Sequence, residues 1–185
     1  MAIFITVWAA WFASEVLLNS LMRSGKKDKK GQDKGSISLI WITIALANTL
    51  GVMFYILNKF PISSTPVVQY IGLGLIVAGM AFRFYAIWSL GKLFTVNVTI
   101  RENHKIKMDG IYKTVRHPSY SGAILTFIGF GLSLNSWASL ITIGVLVIAA
   151  FLYRIHIEER MLLSQFGEDY HTYMLKTYRL VPWIY

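Results

Sequence analysis

Hydrophobic positions in this chain gather into five runs, 2–22, 37–57, 67–90, 119–134 and 137–153, with polar segments between them. A run of about 20 apolar residues matches the length of a helix that crosses a bilayer. The pattern therefore predicts an all-α integral membrane bundle of about five transmembrane helices, forming a single membrane domain over 1–185. The fourth run is short for a crossing, which tilt or burial within protein accommodates. Only Asn135 and Ser136 separate the fourth and fifth runs, so the two form an antiparallel helical hairpin over 118–155. From His156 the pattern becomes amphipathic: Ile157, Met161, Leu162 and Phe166 alternate with Glu158, Glu159 and Arg160 at helical spacing. Gly167 is placed to cap that helix, and a short C-terminal helix is expected over 170–178. No basic segment precedes the first run and no small-residue cleavage site follows it, so it reads as a span and not as a removable signal.

Glycines within the third run, Gly72, Gly74 and Gly79, resemble a dinucleotide-binding loop only superficially. That loop needs a strand before it and a helix after it, and these glycines lie inside one continuous apolar segment. Gly74 and Ala78, four apart, are instead expected to let a neighbouring helix approach closely.

Charge fixes the expected sidedness. Of the 18 lysines and arginines, all but Lys59 and Arg83 fall in 23–35, in 91–117 or in the tail from 154. In a multi-span chain such asymmetry marks the cytoplasmic face, which puts the N-terminus outside and the C-terminal helical segment inside. The net charge of +9 is thus a sign of topology, and no nucleic-acid partner is expected. Arg83 and Glu15 lie toward the cytoplasmic ends of their spans, where snorkelling is the default and lining a polar pocket the sharper alternative. There is no cysteine, and His104, His117, His156 and His171 show no metal-ligand spacing, so no metal site is expected.

Candidate chemistry collects where the hairpin returns to the cytoplasmic boundary. Pro118 suits the first turn of a helix, whose free N–H groups and positive dipole end make an anion site beside Arg116 and His117. At the hairpin's other end, Arg154 and Glu158 are four apart on one helix face and can pair with each other or serve a site. Glu159, about 100° further round, is expected to point away from them.

The order and spacing of His104-x-Ile106, Gly110-Ile111-Tyr112, Arg116-His117-Pro118-Ser119-Tyr120-x-Gly122, Arg154, Glu158-Glu159 and Phe166-Gly167-x-x-Tyr170-x-x-Tyr173 resemble the isoprenylcysteine carboxyl methyltransferase family. The match runs from about 97 to 182. The resemblance implies an integral membrane enzyme that moves a methyl group from S-adenosylmethionine to a lipophilic or lipid-anchored acceptor, among membrane lipids. It divides the chain into three N-terminal spans, 1–90, and a cofactor-binding and catalytic half, 91–185. It also implies that His104, Lys105, Ile106, Lys107, Tyr112, His117, Pro118, Ser119, Tyr120 and Glu158 hold the cofactor, and that Arg154 faces the acceptor carboxylate. Where the family often carries His-x-Leu-Val, this chain has His104-Lys105-Ile106-Lys107, so backbone contacts are expected there. Other acceptors stay open: a phospholipid amine, which needs a base to take its proton, or a small lipophilic phenol, pyrone or thiol. A sterol-type reductase using NADPH shares a related pattern and the ending Arg179-Leu-Val-Pro182-Trp-Ile-Tyr185. A non-catalytic membrane scaffold is the remaining alternative, and it leaves the Arg154 and Glu158 cluster unexplained.

Overall fold

The computed structural model describes residues 2–21, 29–30, 35–57, 60–91, 99–100 and 106–184. Five apolar helices form the body: α1 (Ala2–Leu21), α2 (Ser36–Ile56), α3 (Val67–Leu90), α4 (Pro118–Ser133) and α5 (Trp137–Phe166). A short α6 (Glu168–Leu175) and a 3₁₀ turn (Gly110–Lys113) complete the helical set. Two-residue strands β1 (Lys29–Lys30) and β2 (Thr99–Ile100) pair antiparallel. The protein is otherwise all-helical among the described residues. Three helices are long and apolar enough to cross a membrane: α2 over Ser38–Ile56, α3, and α5. α1, apolar over Ala2–Leu18, is shorter, as is α4 at 16 residues. Apolar side chains also face outward, Ile42, Ile56 and Val145 among them, each more than half exposed. Such an exterior suits lipid and not water.

The core is where the helices meet. Trp11 packs edge-on against Phe127, ring centroids 4.9 Å apart, and lies 5.3 Å from Phe130. Ile76, Ile143 and Val147 fill the space around them. Trp8 ties α1 to α4 through a hydrogen bond from Nε1 to Ser133 Oγ, 3.1 Å.

Closest approach is between α3 and α4. A Cβ added at Gly72 would lie 2.4 Å from the Ser133 nitrogen and 2.6 Å from the Gly129 oxygen. One added at Gly79 would lie 2.8 Å from the Gly122 oxygen, and Gly122 and Gly129 are as tightly met by α3. The two backbones touch because all four positions lack a side chain. Gly74 and Ala78 are therefore not the approach surface: both are exposed, and nothing lies within 4 Å of a Cβ at Gly74. The contact repeats every seven residues, Gly72 to Gly79 and Gly122 to Gly129, which keeps one face turned to a partner along the helix.

At one end of the bundle the α2–α3 turn is stitched to the α4–α5 turn. Asn135 Nδ2 donates to the Ser63 carbonyl at 2.8 Å, its Oδ1 accepts from Ser63 N at 3.0 Å, and Trp137 N donates to the Phe60 carbonyl at 2.9 Å. Asn135 takes a positive φ of 52°, so two residues suffice to reverse the chain. Ser136 then caps α5 by accepting from Ser139 N.

α5 joins the apolar run ending at 153 and the amphipathic stretch from 156 into one helix. It runs unbroken for 30 residues, about 45 Å, well past the ~30 Å of a bilayer core. A helix satisfies its own backbone in lipid or in water, so the polar residues from 154 onward give no reason to stop. Gly167, with φ 52°, ends it as expected, and α6 follows directly.

The α3–α4 contact yields a paired prediction. Gly129→Ala should lower the thermal unfolding midpoint in detergent through about 1–3 kcal/mol of overpacking. Gly74→Ala should leave it unchanged or slightly higher, because alanine is the better helix former and meets no neighbour.

Candidate active site

Three pieces of chain converge at the end opposite the stitched turns: residues 112–121, the segment of α5 from Phe151 to Glu159, and the tail 173–180. Pro118 occupies the first turn of α4, as its fixed φ favours, and no side chain caps that helix start. The tail runs parallel to residues 114–117. Arg116 N donates to the Tyr178 carbonyl at 2.8 Å, Tyr178 N to the Thr114 carbonyl at 2.9 Å, and His117 N to the Arg179 carbonyl at 3.0 Å. Ser121 Oγ extends the clamp to the Leu180 carbonyl, 2.6 Å.

Glu158 and Glu159 separate as helix geometry requires, one near each nitrogen of the His117 ring. Glu158 accepts from the Tyr120 hydroxyl at 2.7 Å and keeps 28% of its side chain exposed. Glu159 does not point to solvent; its side chain is 4% exposed. Its Oε1 accepts from Arg116 Nε at 2.9 Å, its Oε2 from Arg179 Nε at 3.0 Å, and His117 Nε2 lies 3.4 Å away. Such burial is tolerable because two arginines hold the carboxylate. Arg116 in turn reaches the end of α6. Its Nη1 donates to the Met174 carbonyl at 3.0 Å and to both oxygens of Thr177, which satisfies carbonyls that a helix end leaves without partners.

His117 lies flat against Tyr120, the rings 6° from parallel with centroids 5.5 Å apart, and Tyr120 also touches Phe151. Arg154 is 2% exposed and interacts with the Tyr120 phenol. His117, Pro118, Ser119, Tyr120, Arg154 and Glu158 are thus brought together. Tyr112 stands behind them: it is buried, its hydroxyl donates to the Ala86 carbonyl at 3.1 Å, and its carbonyl accepts from Tyr173 at 2.6 Å. Burial pushes the Tyr173 phenol up to about 12 and raises that of Tyr112 as well, so both stay protonated donors. Lys107 pairs with Asp109 at 2.9 Å, and Ile106 is half-buried nearby in sequence. His104 and Lys105 lie outside the described residues.

Sequence reasoning missed two features. Arg83 and Glu15 do not merely snorkel: Nε and Oε1 are 3.0 Å apart, and Nη2 donates to Oε2 at 3.1 Å. Arg83 Nη1 also donates to the Ser119 carbonyl at 3.0 Å, which binds α1 and α3 to the first turn of α4. Opposite charges toward the same end of two spans were the available signal. The second is the inward turn of Glu159, for which the long-range pairing with Arg116 and Arg179 left no local signal.

A membrane-type helical bundle with a charged, aromatic-lined cluster at one end is the class that fold and site define. The description "Isoprenylcysteine carboxyl methyltransferase (ICMT) family" belongs to the family whose sequence model matches residues 72–164. Protein-S-isoprenylcysteine O-methyltransferase B of Arabidopsis thaliana is 34% identical over 161 residues, 83% of this chain and 82% of that protein. The protein-S-isoprenylcysteine O-methyltransferase of Schizosaccharomyces pombe is 33% identical over 120 residues, 64% of this chain and 51% of that protein. A solved structure described as the eukaryotic intramembrane Ras methyltransferase ICMT matches with a TM-score of 0.61 at 27% identity, covering 77% of this chain and 52% of that one. The chain belongs to the isoprenylcysteine carboxyl methyltransferase family. It is a membrane methyltransferase, which displaces the reductase and scaffold alternatives.

The ion network predicts unequal costs. Arg116→Ala leaves Glu159 short of a buried partner and strips donors from the end of α6, so it should cost about 3–5 kcal/mol. Arg179→Ala, at a site one-third exposed, should cost about 1 kcal/mol or less. Thermal unfolding of the two variants in one detergent checks the order.

Proposed function

We propose that this protein transfers a methyl group from S-adenosylmethionine to a carboxylate on a lipophilic acceptor of the isoprenylcysteine type. The observation that carries this is the convergence of Glu158, Tyr120 and the open start of α4 beside the buried Arg154. This donor set fits the methyl donor. A partly exposed carboxylate suits its amine or hydroxyls, aromatic rings suit a sulfonium, and a helix start suits its carboxylate. His104 to Lys107, Tyr112, His117 to Tyr120 and Glu158 would hold it. When bound, S-adenosylmethionine supplies an electrophilic methyl group on a sulfonium.

Arg154 would orient the acceptor. Its guanidinium matches a carboxylate with two parallel hydrogen bonds, a fork lysine cannot reproduce. The same attraction makes the carboxylate a weaker nucleophile, so the gain comes from alignment and from exclusion of water at this buried position. A carboxylate needs no base. An amine acceptor would, and His117, with a carboxylate near each ring nitrogen, is the group that favours this second reading. The names of the relatives, which specify isoprenylcysteine, support the carboxylate.

We further propose five crossings with the N-terminus outside, and with 23–35, 91–117 and the tail from 154 on the cytoplasmic side. On this reading 1–90 is a three-span support and 91–185 the catalytic half. The β1–β2 pairing and the tail's hydrogen bonds to 114–117 support one shared end for these segments.

For the chemistry, Glu158→Gln should weaken S-adenosylhomocysteine binding ten- to a hundredfold, about 1.5–3 kcal/mol. Arg154→Lys should instead lower turnover of an isoprenylcysteine carboxylate strongly, while S-adenosylhomocysteine affinity stays within about threefold. Calorimetry and detection of the methyl ester read the two effects, and loss of cofactor affinity in Arg154→Lys would reverse the assignment. For the topology, the chain has no cysteine of its own, so single replacements label cleanly. An impermeant thiol reagent added outside should label Ser63→Cys and not Ser36→Cys.

A further inference from the structure

We propose that Glu159 is a positioning residue that holds the His117 imidazole with its proton on Nε2, leaving the Nδ1 lone pair turned toward Glu158 and the site. His117 is buried with a carboxylate on either side of its ring. Nε2 is 3.4 Å from Glu159 Oε1, within hydrogen-bond reach, whereas Nδ1 is 3.9 Å from Glu158 Oε2, which is not. That Glu158 oxygen already accepts from the Tyr120 hydroxyl at 2.7 Å. Glu159 cannot swing away, because Arg116 holds one of its oxygens and Arg179 the other. The ring plane is set as well, by the parallel Tyr120 ring on one face and by the backbone bond from His117 N to the Arg179 carbonyl.

A neutral imidazole that donates from Nε2 is an acceptor at Nδ1. Nδ1 and Glu158 Oε2 then form a pair of acceptors 3.9 Å apart. One donor atom can stand about 2.9 Å from both of them. Resting on the assignment of this pocket to the methyl donor, that atom is an amine or hydroxyl of the bound molecule. Glu159 acts on it through His117, and the tail acts through Arg179, which holds one Glu159 oxygen.

The proton position is measurable without any ligand. In protein labelled with ¹⁵N-histidine, the resonances that disappear in His117→Gln should show, near neutral pH, a protonated Nε2 and a bare Nδ1. An Nδ1–H tautomer or an imidazolium would overturn the proposal. Folded Glu159→Leu, which removes the acceptor, should lose that pattern and bind S-adenosylhomocysteine about tenfold more weakly. Unchanged affinity or an unchanged His117 signature would also overturn it. If Glu159→Leu does not fold, Glu159→Asp keeps the charge for both arginines, withdraws the carboxylate by one methylene and carries the same two measurements. Failure of the unmodified protein to bind S-adenosylhomocysteine would refute the methyl-donor assignment, while the His117 signature still decides this proposal by itself.

Discussion

Glu159 is a charge that this fold cannot bury unaccompanied, and the end of the molecule that holds it is assembled around that requirement. A lone carboxylate with 4% of its side chain exposed would carry a desolvation penalty of several kcal/mol. Arg116, from just before α4, and Arg179, from the tail, remove the penalty by arriving from opposite directions in the sequence. Their arrival has structural consequences beyond charge. Arg116 cannot reach Glu159 without bringing along His117 and the start of α4, and Arg179 cannot do so without laying the tail along residues 114–117. The ion network is therefore less a source of net stability than a specification of which segments meet.

A second constraint sets where α4 begins. Its backbone is in direct contact with that of α3 through Gly72, Gly79, Gly122 and Gly129. Backbones this close cannot slide past one another, since a shift would drive side chains into the contact. The contact fixes the height of Pro118 relative to Arg83, whose guanidinium then bridges Glu15 and the Ser119 carbonyl. Apolar packing thus sets the level of the helix start, and two ion pairs, one on each side, set its rotation.

Much of this was legible in the sequence because it depends on local rules. Pro118 announces a helix start, Asn135-Ser136 leaves room only for a tight reversal, and Gly167 ends α5 with a positive φ. Residues from His117 to Tyr120, with Arg154 and Glu158, could be placed near one another because a hairpin must bring its two ends to one level. What was not legible depends on rotational phase. Gly74 with Ala78 and Gly72 with Gly79 are equally good small-residue patterns, and only the face that meets α4 separates them. Glu158 and Glu159 are neighbours about 100° apart, and which of them is buried depends on where the tail lies. Continuity of α5 is a simpler matter: polarity at 154–160 reports a change of surroundings, which an α-helix crosses without changing its hydrogen bonds.

That continuity puts Arg154 and Glu158 on one element, α5. At about 45 Å the helix is longer than a bilayer core, and its sequence turns polar from Arg154 onward. Arg154 falls where the two regimes meet, and Glu158 one turn further out. One rigid element then carries both the arginine and the carboxylate that meet the Tyr120 phenol. Four residues of helix rise, about 6 Å, separate their Cα atoms. Their spacing is fixed without a hinge, because the positioning is done by the helix and its immobilised neighbours. The cost is that α5 must be held against rotation, since a turn of even a third of a residue's 100° would misdirect both side chains. Glu159, on the same two turns and locked between two arginines, provides that hold.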